Sequence, residues 1–181
     1  QWDYIEPVLF GYAAGAVIAS YVENFCTATD KIAAHFHEWM TAAGGLYLRR
    51  HAPYVATLFT THATVMGRCI AGNHLPLYTD LTKFNADELA RQFNVVAKHS
   101  IEKAAAAYHD AFVTVSDITA NECKFLLGRE PDCITPNGFE NDFVWTGEED
   151  DAKRAEARKT MISVAEACLG EKFAEEPLII G

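Results

Sequence analysis

Apolar and polar positions alternate along this chain in blocks, and the period of each block predicts an element. PVLFGYAAGAVIASYV, residues 7–22, is a nearly continuous apolar run whose Gly and Ala positions allow a close neighbour, so a buried helix is expected over about 7–26. KIAAHFHEW follows as a short apolar run, and a helical or mixed stretch covers about 40–50. YVATLFTTH, rich in β-branched and aromatic residues, is the next strand candidate. A helix at about 63–71 and an irregular stretch with Gly, Pro and Asp lead to a long helix opening at FNADEL. There Asn85 can cap and Glu88 can reach back; the alanines at 104–107 carry the helix to about Tyr108. DAFVTVSD is a third strand, and ITANECKFLLG a short helix with Asp117 as N-cap and Gly128 as terminator. DCITPNG is a fourth strand ending in a turn. The acidic loop TGEEDDAKR then opens a last helix to about Leu169, with Met161, Ile162, Ala165, Cys168 and Leu169 on an apolar stripe.

Strands alternating with helices imply parallel pairing, right-handed crossovers and an α/β fold with helices on both faces of a parallel sheet. In such a sheet the strands' carboxyl ends share one edge, where ligands bind. Each strand candidate runs apolar and then ends in polar groups: His37-Glu38, Thr61-His62, Ser116-Asp117, and Asn137 with Gly138. After His62, the first N–H groups of a helix at Ala63 to Val65 would point toward that edge. Arg68, four residues after Thr64, shares its helical face and could pair with a phosphate or a carboxylate, or form a surface salt bridge. His35 and His37 share a strand face, but no third ligand accompanies them, so no metal is expected. His35 reads as a hydrogen-bonded core histidine and Trp39 as core packing, whereas His37 and Glu38 lie nearer the ligand edge.

Composition narrows the classes. The chain has 181 residues, 50% of them hydrophobic and 22% charged, which suits one globular domain. A net charge of −10 argues against nucleic-acid binding, which rests on Lys and Arg neutralising phosphates. The 5 cysteines are scattered with no C-x-x-C, so they read as small core hydrophobes in a reducing, cytoplasmic setting. No G-x-S-x-G, P-loop or G-x-G-x-x-G occurs. The run at 7–22 is shorter than a bilayer span and follows no basic residue, so no membrane segment is expected. A chain that starts at Gln1 and stops at PLIIG reads as a fragment, with 176–181 as a truncated strand. Without its neighbouring strands, such a piece is expected to expose an edge and self-associate. Composition and alternation fit a non-catalytic α/β binding or regulatory domain equally well.

Five segments separate these readings. HFHEW, FTTHATVMGR, FNADEL with RQF, KAAAAYHDAFVTVSDITANE and TPNGF occur in that order. Together they resemble the eukaryotic-type glycogen synthases, retaining glycosyltransferases, over roughly residues 5 to 145. The resemblance implies a Rossmann-like domain of the two-domain GT-B fold, with 1–175 as part of the amino-terminal domain and 176–181 opening the carboxy-terminal one. It implies glucosyl transfer from a nucleotide sugar, UDP-glucose or in a related synthase ADP-glucose, to the non-reducing end of an α-glucan, with no obligatory metal or other cofactor. By the same likeness His62 sits beside the donor glucose, with Thr61 next to it, and Arg68 faces the donor phosphates or the closing interdomain cleft. Asn137 lies at the cleft wall, and His37 and Glu38 lie toward the acceptor. The family's glycine-rich loop and its carboxy-terminal Arg/Lys pair and glutamate motif are not in this chain, so the piece alone is expected to be inactive.

Overall fold

The computed structural model describes residues 2–140 and 148–173. The expected strand at 176–181 and the start of the acidic loop lie outside the described residues. The chain divides into two units, Gln1–Asn137 and Gly138–Gly181, each described by itself. The second unit is represented by one helix, α8 (Glu148–Leu169), ending where the sequence predicts.

The first unit is a four-stranded parallel sheet, β1 (Ala33–His37), β2 (Ala56–Thr61), β3 (Ala111–Thr114) and β4 (Cys133–Ile134), in the order β1-β2-β3-β4. Its pairing sets His37 beside Thr60, and Thr61 beside Thr114. Helices α1 (Ile5–Phe25) and α2 (Glu38–His51) flank β1, and α3 (Val65–Gly72), α4 (Leu77–Asp80), α5 (Ala86–Gln92) and α6 (Val96–Tyr108) join β2 to β3. Helix α7 (Asp117–Glu122) runs into a π-helical turn, Cys123–Leu127, before β4. The parallel α/β class follows from the alternation, as expected.

The strand order has a consequence for the layers. Sequential strands joined by right-handed crossovers send every connection over the same face. The register agrees: Ala34, Phe36, Thr57, Phe59, Thr61, Phe112 and Thr114 share one face and are all buried. They form the core with Val22, Leu48, Ala105, Ala106 and Leu127. On the alternate face Ala33, His35, His37 and Ala56 are exposed, whereas Thr60 and Val113 farther along the sheet are buried. His35 is therefore not a core histidine; it lies on the open face and bonds Thr60 Oγ1 at 2.7 Å.

Two other expectations change. The long helix from Asn85 to Tyr108 is two helices, because Asn94 adopts a left-handed backbone with φ 59°. The N–H of Val95 bonds the Ala90 carbonyl at 2.8 Å and that of Asn94 bonds Arg91 at 3.2 Å, a Schellman ending. Asp87 on α5 ties the halves together, accepting from His99 Nε2 at 3.1 Å and Lys103 Nζ at 2.9 Å on α6. The N-cap of α7 is Ser116, whose Oγ accepts from the Thr119 N–H at 3.2 Å, with Asp117 as the first helical residue. Asn85 caps α5 as read, and Gly128 ends the π-helical turn in the left-handed region.

Helix α1 is 21 residues long and apolar enough to cross a bilayer, so its length does not exclude that role as the sequence reading held. In the fold it lies against α2 at a glycine crossing, where a Cβ on Gly15 would come within 2.6 Å of the Gly44 carbonyl oxygen. Half of its hydrophobic side chains, Leu9, Phe10, Val17 and Phe25 among them, are exposed. The cysteines divide likewise: Cys123 is buried, but Cys133 and Cys168 are exposed rather than packed in a core.

Candidate functional site

The polar ends of β1 and β2 meet at the carboxyl edge. β2 ends at Thr61, and the chain turns through His62 and Ala63 into α3, whose N-cap Thr64 accepts the Gly67 N–H at 2.9 Å. Beside it, β1 ends at His37 and Glu38 opens α2. Glu38 has φ 63°, a left-handed backbone that costs a non-glycine residue about 1–2 kcal/mol. Strain of this kind persists where surrounding contacts hold it in place. Here the Glu38 carboxylate reaches across, accepting the His62 N–H at 3.0 Å. The same oxygen lies 3.8 Å from a guanidinium nitrogen of Arg68.

Three imidazoles line this edge. His37 Nδ1 lies 3.1 Å from His62 Nε2, so one ring donates and the other accepts. The rings of His35 and His37 are 4.0 Å apart. Partial burial, followed by repulsion from His37 and His62, holds His35 below the usual histidine range. With Nε2 engaged, His62 Nδ1 has no partner among the described residues. Among the described residues, the guanidinium of Arg68, 65% exposed, is held only by its long contact with Glu38. A cation so placed is free to exchange a carboxylate for another anion.

The structure unites His37, Glu38, His62 and Arg68, but not all the residues the sequence singled out. Thr61 is fully buried, because strand alternation turns it to the core face; it donates to Glu102 at 3.1 Å and cannot line the cleft. Asn137 is exposed in the loop three residues beyond β4, with two strand positions between it and β1, and makes no hydrogen bond with the cluster. The expected anion cradle at the start of α3 is also partly occupied: the Val65 N–H is taken by Glu102 Oε2 at 2.9 Å, and the His62 N–H by Glu38.

Sequence reasoning missed two buried carboxylates under this turn. Glu102, on the buried face of α6 with His99, Ala105 and Ala106, is fully enclosed. Burial pushes its carboxyl up to about 8, against the lowering effect of its bonds from Val65 and Thr61; Glu38 and Glu122 add to the rise. Glu122, on α7, accepts from Thr64 Oγ1 at 2.8 Å and from the Tyr78 hydroxyl at 3.4 Å. A Cβ on Gly67 would fall 2.2 Å from Glu122 Oε2, so this glycine is what admits the carboxylate. In sequence Glu102 precedes an alanine run and looks like a solvent-facing helix residue. Its only signal is its spacing of three and four from Ala105 and Ala106.

The glycogen synthase family model matches residues 3–148. Glycogen [starch] synthase of Dictyostelium discoideum is 39% identical over 137 residues, which cover 76% of this chain and 15% of that protein. The Caenorhabditis elegans protein of the same name is 35% identical over 134 residues, 74% of this chain and 20% of its own length. That of Neurospora crassa is 37% identical over 135 residues, 74% and 19% respectively. The chain thus spans a fifth or less of the length of these curated relatives.

Proposed function

This chain belongs to the glycogen synthase family, and we propose that it forms the donor-side wall of a glucosyl-transfer site in a longer protein. The reaction is transfer of glucose from a nucleotide sugar, UDP-glucose in our reading, to the non-reducing end of an α-1,4-glucan with retention. One observation carries it: His62, Glu38, His37 and Arg68 converge at the carboxyl edge of a parallel sheet, where, among the described residues, His62 keeps one ring nitrogen unengaged and Arg68 is only loosely paired.

The chemistry follows from what these groups can do. The anomeric C–O bond breaks with its electron pair on the departing diphosphate, so negative charge grows on the leaving group. Arg68 moves from Glu38 to that charge and stabilises it more in the transition state than in the bound donor. His62, fixed at its backbone N–H by Glu38 and at Nε2 by His37, presents Nδ1 to a sugar hydroxyl. The acceptor hydroxyl forms the new bond on the same face of the sugar and passes its proton to the oxygen of the departing diphosphate. No residue of this chain is needed as a metal ligand in that sequence. Thr61 serves from beneath the turn. Asn137 contributes a donor contact only when the domain partner is in place.

The test is release of nucleoside diphosphate by the full-length protein with UDP-glucose or ADP-glucose and glycogen. Turnover with UDP-glucose and none by the isolated 181-residue chain is expected. A full-length protein that binds glucan but releases no nucleotide from either donor favours the non-catalytic reading instead. A reducing, cytoplasmic setting is supported by the 5 cysteines, all free. Self-association of the isolated chain is supported by the exposed Leu9, Phe10, Val17 and Phe25 of α1; sedimentation as a monomer at high concentration contradicts it.

A further inference from the structure

Five consecutive residues, Thr61 to Val65, carry the chain from β2 into α3 and present His62 on the way. Carboxylates from three different elements hold them. Glu38, opening α2, takes the His62 N–H at 3.0 Å. Glu102, on α6, takes the Thr61 hydroxyl at 3.1 Å and the Val65 N–H at 2.9 Å, so one side chain grips the turn on both sides of His62. Glu122, on α7, takes the Thr64 hydroxyl at 2.8 Å, and Thr64 in turn caps α3, the helix bearing Arg68. Glu102 and Glu122 are 0% and 5% exposed. Burying a carboxyl group is costly even when it is hydrogen-bonded, and an apolar side chain of the same shape would fill either place more cheaply. Stability alone is a poor reason for two such groups beneath one short turn.

We propose that Glu102, supported by Glu122, is a positioning residue for the reaction: it never meets substrate, but it sets the β2–α3 turn so that His62 stays in register with His37 and Arg68 stays beside Glu38. This rests on the functional reading above for its catalytic consequence, though not for its geometry. The form of the grip is specific. In the neutral form the contact with Thr61 reverses: the carboxyl accepts the Val65 N–H on one oxygen and donates its proton to Thr61 Oγ1 from the other, while the Thr61 hydroxyl turns to the Ala63 carbonyl 3.4 Å away, an arrangement that a glutamine amide can imitate. That neutral form agrees with the upward shift of Glu102, so hydrogen-bonding shape, not charge, is what the turn requires.

The experiment compares Glu102→Gln and Glu102→Leu in the full-length protein. Glutamine should keep kcat within about threefold of the unmodified protein, whereas leucine should lower kcat roughly 10- to 100-fold with the donor KM little changed, since a displaced catalytic group costs about that much. A second arm needs no turnover: the rate at which diethyl pyrocarbonate modifies His62, mapped by mass spectrometry, with His74 as an exposed reference. His62 should react several-fold faster in Glu102→Leu and at the original rate in Glu102→Gln, with His74 unchanged in both. If Glu102→Leu does not fold, the near-isosteric Thr61→Val removes the same contact and should move both readouts in the same direction. Unchanged kcat and unchanged His62 reactivity in the folded leucine or valine variant overturn the proposal. So does a glutamine variant as impaired as the leucine one. If the unmodified protein transfers no glucose, the functional reading fails on its own, and the His62 modification rates still decide this one.

Discussion

At the amino edge of the sheet, Asp110 and Asp132 each stand immediately before a strand, and each accepts an N–H from the second residue of the strand before it: Thr57 at 2.8 Å and Phe112 at 2.7 Å. Asp110 also takes the Thr57 hydroxyl and pairs with Arg49; Asp132 pairs with Arg129 at 2.6 Å. At the carboxyl edge the residue types are similar, but the pairing is looser. Arg68 is 3.8 Å from Glu38, and His62 keeps a ring nitrogen without a partner among the described residues. The amino edge spends its charges on the backbone that starts each strand. Its aspartates are held below the usual carboxylate range, first by those backbone bonds. The carboxyl edge keeps charge and a ring nitrogen in reserve. Polar residues at a strand end are therefore a weak sign of function in themselves; what separates the two edges is how completely their groups are satisfied.

Substitutions should split the edges. In the full-length protein, His62→Ala should lower turnover about 100-fold or more while leaving the melting temperature nearly unchanged, because the proposed site would lose a preorganised contact to the reacting sugar. Near-original turnover in that variant would collapse the distinction. Arg68→Ala should raise the donor KM and lower kcat together, by roughly 10-fold or more in kcat/KM, as expected for an interaction that grows with leaving-group charge. Asp110→Ala should do the reverse. It leaves the Thr57 N–H without its acceptor and should cost about 1–3 kcal/mol in denaturant unfolding, with turnover per folded molecule intact.

Smaller effects sharpen the contrast in pH. Burial holds His109, whose Nδ1 donates to the Ala105 carbonyl at 2.9 Å, down at about 4. Its folded value lies below its unfolded one, so the unfolded chain binds the proton first and stability should fall as pH drops from about 6.5 to about 4. Glu102 acts in the opposite sense. Its folded value lies above its unfolded one, so its contribution is present below about 4.5 and is lost as pH rises toward 8, with a slope of at most ~1.4 kcal/mol per pH unit. Unfolding of Glu102→Gln followed across that range should lack this slope, and a slope unchanged by the substitution would assign it to other groups.

The sequence made some of this visible and hid the rest for physical reasons. Strands β1 to β3 and the histidines at their ends follow from period-two alternation and β-branched content, which act locally. The position of His62 at the carboxyl edge of the sheet was accordingly legible. Thr61 was misread because one step along a strand reverses the face, and only the register with Thr114 shows which face is buried. The break at Asn94 was hidden because asparagine is tolerated inside helices as well as in the left-handed ending it makes here. Glu38 and Glu102 act across elements, 24 and 37 residues from the N–H groups that they hold. No local pattern encodes such contacts.

The most direct measurement is a crystal structure of the full-length protein with its nucleotide-sugar donor bound. The account predicts the donor glucose within hydrogen-bond reach of His62 Nδ1, with Arg68 moved from Glu38 onto the diphosphate and Asp110 still holding the Thr57 N–H. A donor bound away from the carboxyl ends of β1 and β2, with Arg68 still beside Glu38, would contradict it.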